Sequence, residues 1–307
     1  MSTNNNGNPI ISFNSLLPPA MAGKAEDVGM AKVKLGPFRM LALAILAGAF
    51  IAMGAIFSTT VTAGANGVLP YGVSRWLGGI VFSLGLILVV IAGAELFTGN
   101  NLIVMAWASR KVSTGRLLRN WIVVYLGNFI GSIATAYLMY LSGQFTFGSG
   151  AVGLNALTIA NAKTGLEFVP AVILGLFCNA LVCLAVWLCM SARTTTDKIL
   201  AIIFPISAFV AAGFEHSIAN MYFIPMGLFI KSGAPAAFWT TIGKTAADFP
   251  NLTWGNFFVA NLLPVTLGNV IGGAVMVGLV YWFIYLRPSW TGRKETELPL
   301  TPATKTN

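Results

Sequence analysis

An all-α membrane protein with six transmembrane helices is the fold class this sequence predicts, and three observations carry it. Hydrophobic residues make up 56% of the chain and charged residues 9%, far from the roughly one-quarter charged that is typical of a soluble domain. Mean hydropathy is +0.79, and the apolar residues gather into runs of about 20 or more, the length that crosses a bilayer as a helix. Two short polar motifs, set inside those runs, recur in the same order. No second, soluble domain is indicated. The net charge of +9 is spread over short loops and tails rather than one patch, which argues against a nucleic-acid surface.

The chain divides into a segment at 1–36, a transmembrane domain at 37–287 and a tail at 288–307. Residues 1–17 are rich in Asn, Ser and Gly, a composition that predicts disorder, and residues 1–36 lack the apolar core and cleavage site of a signal peptide. After Pro18-Pro19, Met21, Val28, Met30 and Val33 alternate with Lys24, Glu26, Asp27, Lys32 and Lys34. That pattern predicts a short amphipathic helix at the membrane interface, with a plain solvated tail as the alternative.

Six spans follow, at about 38–63, 78–108, 117–141, 168–191, 199–230 and 257–286. The second and fifth are too long for straight crossings, since they would reach roughly 45–50 Å against a core of about 30 Å. Each carries polar residues with glycine or proline midway: Thr98-Gly99-Asn100-Asn101 in one, Pro205 and Glu215-His216-Ser217 in the other. Both are expected to be broken helices. Basic residues set the orientation. Lys24, Lys32, Lys34 and Arg39 precede the first span; Arg110, Lys111, Arg116 and Arg119 follow the second; Arg193 and Lys198 follow the fourth; Arg287, Arg293, Lys294 and Lys305 follow the sixth. Only Arg75, Lys163, Lys231 and Lys244 fall on the other side. The positive-inside rule places both termini in the cytoplasm.

Gly213-Phe214-Glu215-His216-Ser217-Ile218-Ala219-Asn220 holds the only histidine of the chain and one of its nine acidic residues. Ionisable groups at this depth in lipid are costly and mark a functional site. The pattern matches Gly93-Ala94-Glu95-Leu96-Phe97-Thr98-Gly99-Asn100, with Leu96 where His216 stands. A second pair, Leu126-Gly127-Asn128-Phe129-Ile130-Gly131 and Leu267-Gly268-Asn269-Val270-Ile271-Gly272, occupies the third and sixth spans. Three spans per half is an odd number, so the halves enter the membrane from opposite sides. This is an inverted 3+3 repeat, whose broken helices meet near the midplane and frame a substrate path.

These motifs, with Phe177-Cys178-Asn179-Ala180-Leu181-Val182, resemble the formate/nitrite transporter family, and within it the formate channels. The resemblance runs from about Pro18 to the sixth span. It implies an aquaporin-like protomer in a homopentamer of the bacterial inner membrane, with one path per protomer. Formate and related small monovalent anions are the substrates implied. No cofactor or metal is, and an initial segment closing the cytoplasmic mouth fits residues 20–34.

By the resemblance, His216 is the central pore residue and Thr98 faces it. A bare anion crosses an apolar constriction only at high cost, whereas its conjugate acid does not. An imidazole, titrating near ~6.5 in water, is suited to hand over or withdraw a proton. His216 is therefore expected to protonate the anion or to stabilise it as a cation, against the plainer reading of a histidine tying two helices. Glu95 and Glu215, with Asn100 and Asn220, read as structural groups at the helix breaks, accepting freed N–H groups or pairing with a lysine. Lys163 is Glu215's partner by the resemblance, and either draws anions to the outer mouth or is an ordinary loop lysine. Phe82, Leu86, Leu96, Phe97, Val182 and Phe209 match the family's apolar constrictions, which exclude hydrated ions; periodicity alone makes them core. Asn179 and Asn269 are polar contacts beside the path or helix–helix glue.

Other motif matches carry no chemistry. Gly148–Gly153 fits a dinucleotide-binding spacing without a βαβ context, and Asn251-Leu252-Thr253 is a glycosylation sequon in letters only. His216 and Ser217, adjacent on a helix, point about 100° apart, and no second histidine or nucleophile-elbow motif exists to build a hydrolase. Cys178, Cys183 and Cys189 lie in one apolar run without metal-ligand spacing and read as small buried hydrophobes. The nearest alternative function is the same architecture carrying nitrite or hydrosulfide. A water or glycerol channel is disfavoured by His216 and by the lack of paired Asn-Pro-Ala motifs.

Overall fold

The computed structural model describes residues 15–287, so the tail at 288–307 and most of the polar lead at 1–17 lie outside the described residues. All regular structure among them is helical. Five helices are long and apolar enough to cross a membrane: α2 (Pro37–Val61), α3 with its final wide turn (Tyr71–Gly93), α5 (Thr114–Leu141), α7 (Phe168–Ser191) and α11 (Trp254–Tyr285). The run at 199–230, expected to be a broken helix, is two helices of 17 residues each, α8 (Thr195–Ala211) and α9 (Ser217–Gly233). Each is about 25 Å long, short of a ~30 Å core.

Both long runs break at the repeated motif. The backbone leaves helical geometry at Gly93 (φ +83°) and Gly213 (φ +76°), left-handed conformations that favour glycine because it has no Cβ. After the first break the chain makes a tight turn over Gly99–Ile103 and a short helix α4, Val104–Ala108. The second break opens straight into α9. The halves thus differ, because only ten residues separate Gly99 from the basic loop after Ala108, too few for a long half-helix.

Helix α11 carries wide turns at Phe257–Leu262 and Ile271–Leu279. Pro264 lies just beyond the first, and widening is a common response to the bond its missing N–H removes. Close approach holds the spans together in pairs. A Cβ at Gly131 of α5 would lie 2.0 Å from Ile45 O of α2, and one at Gly272 of α11 would lie 2.0 Å from Leu176 O of α7. Only glycine permits those two helix contacts.

The first helix is α1, Pro18–Lys34, and it is docked on the protein. Met21, Ala22 and Ala25 pack with Leu102, Met105, Trp187 and Val277, while Val33 packs with Ile103, Ala106 and Leu117. Burying Met21 and Val33 contributes about 1.5–3 kcal/mol each, which holds this weakly amphipathic segment on the bundle. Two helices sit where no apolar run announces one: α6 (Ala151–Thr164), entered through the left-handed Gly148 and Gly150, and α10 (Ala236–Ile242). Cys178, Cys183 and Cys189 are free and buried.

Candidate functional site

Each helix break is held by the same set of bonds. In the first, Glu95 accepts from Lys32 Nζ of α1 at 2.8 Å and from Asn100 Nδ2 at 2.7 Å, and Asn100 also donates to Asn120 Oδ1 at 2.9 Å. In the second, Glu215 accepts from Lys163 Nζ of α6 at 2.7 Å and from Asn220 Nδ2 at 2.7 Å, and Asn220 donates to Asn261 Oδ1 at 2.7 Å. The asparagines of the second motif bind the broken backbone. Asn128 accepts from Phe97 N and donates to Ala44 O and Glu95 O. Asn269 accepts from Ser217 N and donates to Gly175 O and Glu215 O. A break in a buried helix frees backbone groups that cost several kcal/mol each when unpaired in an apolar medium, and these side chains satisfy them.

Two cavities approach the breaks from opposite ends. One, called outer after the orientation expected from the loop charges, measures about 550 Å³ and is lined by Arg75, Phe82, Asn155, Lys163, Phe209, Glu215 and His216 among others. The inner one, about 510 Å³, is lined by Lys24, Lys32, Leu86, Glu95, Leu96, Asn100 and Lys198 among others. His216 is 3% exposed. Its ring lies parallel to Phe209, centroids 6.0 Å apart, and Phe209 meets Phe82 edge-on at 5.7 Å. An aromatic wall thus closes the outer cavity over the histidine, while Leu86 and Leu96 close the inner one.

His216 is the N-cap of α9. Its Nδ1 accepts from Ala219 N at 3.1 Å, and its Nε2 lies 2.9 Å from Thr98 Oγ1. With Nδ1 accepting, the neutral ring carries its proton on Nε2 and donates it to Thr98. Forming the imidazolium requires Nδ1 to become a donor and to give up the cap. Thr98 is fully buried; its carbonyl accepts from Asn179 Nδ2 at 3.3 Å and Cys183 Sγ at 3.3 Å.

Of the residues singled out from the sequence, the fold brings His216, Lys163, Phe82 and Phe209 to the outer cavity and Leu86 and Leu96 to the inner one. Thr98, Phe97, Val182, Asn179 and Asn269 line neither. Phe97 packs edge-on against Tyr125 and Trp121, and Asn179 bonds Asn101 Oδ1 and Asn269 O. Sequence reasoning missed Lys32, Asn120, Asn261 and Arg75 as site residues. Asn120 and Asn261 each stand eight residues before the asparagine of the second motif, a doubled spacing that would have found them. Nothing in the local sequence marks Lys32.

The family model described as formate/nitrite transporter matches residues 19–283. The chain belongs to the formate/nitrite transporter family. Relatives include the formate channel FocA of Escherichia coli strain K12, 48% identical over 275 residues, covering 90% of this chain and 96% of that one. FocA of Haemophilus influenzae is 42% identical over 272 residues, covering 89% and 95%. Among solved structures, a pentameric formate channel with formate bound matches with a TM-score of 0.78 at 50% identity, covering 82% of this chain and 98% of that one. An FNT family ion channel matches with a TM-score of 0.73 at 30% identity, covering 86% and 98%.

Proposed function

We propose that this multi-pass membrane protein is the subunit of a homopentameric channel that moves formate across a bacterial inner membrane, each subunit with its own path past His216. Its relatives of the same family are formate channels, and the similar solved chain is a pentamer with formate bound. The α8–α9 pair makes the fifth of six crossings in an inverted, aquaporin-like repeat; the two matching bond sets around Glu95 and Glu215 support that reading. The excess of basic residues in the loops on the Lys24 and Lys198 side puts both termini in the cytoplasm.

The observation that carries the mechanism is the His216–Thr98 pair, with His216 on the wall of one lysine-bearing cavity and Leu96 and Gly99, on either side of Thr98 in the chain, on the wall of the other. Basic side chains outnumber carboxylates in both cavities, Arg75 and Lys163 against Glu215 in one and Lys24, Lys32 and Lys198 against Glu95 in the other, which raises the local concentration of anions at the two mouths. Between them the Phe82–Phe209 wall and the Leu86–Leu96 closure exclude water, so an anion passes only where a donor replaces its hydration or a proton neutralises it. In the neutral ring the Nε2 proton is donated to Thr98, which holds the ring in register and leaves the Thr98 hydroxyl hydrogen as the donor for the anion. At lower pH the imidazolium supplies a proton or a charge, at the cost of the bond to Ala219, which makes the path pH-dependent. Nitrite and hydrosulfide are monovalent conjugate bases and meet the same physics.

Labelled formate uptake into proteoliposomes at pH values on both sides of about 6.5 tests this, for the intact protein and for His216→Asn. Flux that collapses or loses its pH dependence in the variant supports the role of His216. Equal flux and equal pH dependence in both would reduce the histidine to a helix cap.

A further inference from the structure

The inner cavity holds more positive charge than its own carboxylate offsets. Lys24, Lys32 and Lys198 line it, with Glu95 as the one acidic lining residue. Lys32 and Glu95 pair at 2.8 Å. Lys24 gives one proton to Met190 O at 2.8 Å, leaving two of its three for another acceptor. The Lys198 ammonium makes no hydrogen bond or ion pair among the described residues. Asp197, its neighbour in sequence, accepts from Thr194 N and Arg193 N at its own helix start.

These two lysines come from different elements, Lys24 from α1 and Lys198 from the first turn of α8. Both line the inner cavity beside the end of α7, where Lys24 Nζ donates to Met190 O and Cys189 Sγ donates to Lys198 O. Burial, Lys198 and Arg193 all lower the pKa of Lys24 from the ordinary lysine value. Like charges so placed push α1 and α8 apart unless something negative lies between them.

We propose that Lys24 and Lys198 bind a small oxyanion, a carboxylate or phosphate, that bridges α1 to α8 and holds α1 in its docked position. Both side chains line the same cavity, whose volume of about 510 Å³ accommodates either ion. Since α1 also contributes Val28, Ala31 and Lys32 to the wall of that cavity, the oxyanion concentration on this side sets how firmly α1 closes over it. Calling that side the cytosol rests on the proposed orientation; the binding itself does not.

Amide hydrogen exchange of full-length protein in detergent tests the site, read over α1 with α7 as the folding control. Sodium formate and sodium phosphate are compared with sodium chloride at equal ionic strength. At about ten times the half-saturating concentration, an oxyanion should slow exchange in α1 about tenfold. Lys198→Gln and Lys24→Gln should lose that protection with α7 unchanged, and Lys198→Arg should keep it. Protection by formate alone makes the transported anion the resident; protection by phosphate makes it a distinct regulator. Equal exchange in all three salts, or full protection in Lys198→Gln, overturns the proposal. Transport is not read, so a protein that conducts formate without this protection loses only the site, and a protected protein that conducts nothing loses only the channel reading.

Discussion

His216 Nε2 lies 2.9 Å from Thr98 Oγ1, across 118 positions of sequence, while its Nδ1 caps α9 through Ala219 N. One ring therefore does two jobs. It terminates a half-helix with one nitrogen and presents the other to the first break, so changes to its protonation also load the helix start.

Thr98→Ser keeps the hydroxyl and should keep formate flux within about twofold, whereas Thr98→Val leaves the buried Nε2–H without an acceptor. An unsatisfied buried donor costs about 1–3 kcal/mol. Flux through Thr98→Val should fall by roughly five- to a hundredfold in proteoliposomes. Wild-type flux from Thr98→Val would show that the hydroxyl plays no part.

Glu215 and Lys163 form a buried pair with 6% and 16% of their side chains exposed. Removing one partner of a buried pair costs about 3–5 kcal/mol, with the lower end expected here because Lys163 still reaches water. Thermal unfolding in detergent should show Glu215→Gln destabilised, and the Lys163→Met/Glu215→Gln double variant less destabilised than the two single losses added together. The Lys32–Glu95 pair should behave in the same way. Strict additivity would mean the pairs contribute no coupling.

Gly131→Ala and Gly272→Ala each drive a methyl group to within 2.0 Å of a facing carbonyl oxygen. Overpacking of this kind costs about 1–3 kcal/mol or more, so both variants should melt lower and lose monodispersity on size exclusion. Gly23→Ala, in α1 with nothing within 4 Å of its new Cβ, should be stabilised by up to about 1 kcal/mol through helix propensity.

Lys24 should titrate below the ordinary lysine value of 10.5, because burial, Lys198 and Arg193 disfavour its ammonium form. A lysine pKa depressed by folding means that the docked state holds its proton less tightly than the undocked one. Docking of α1 then strengthens as pH rises through the depressed pKa towards 10.5. Lys198→Gln removes a like charge and should raise the pKa of Lys24, read as slower acylation of that amine at fixed alkaline pH.

Much of the candidate site was legible in sequence because lipid makes polar residues conspicuous. His216 stands out as the only histidine, set in an apolar run, and Glu95, Asn100, Glu215 and Asn220 stand out because their motif occurs twice. Asn120 and Asn261 escaped notice because their matched spacing lies outside the repeated motif itself, eight residues before Asn128 and Asn269, and the fold shows that both face a break. Helix α6 escaped because Ala151–Thr164 has no apolar run to announce it, although it delivers Lys163.

The sequence by itself determined the class, the apolar runs, the interruption of two of them and the family. These follow from local rules: apolar length matched to bilayer thickness, glycine where the backbone turns left-handed, and a repeat visible by direct comparison. Tertiary structure decided that Lys32 meets Glu95 across 63 positions, that α1 packs on the bundle, and which nitrogen of His216 faces Thr98. Such pairings depend on helices brought together by glycine contacts far apart in the chain. Local periodicity records which face is buried, but not what it is buried against.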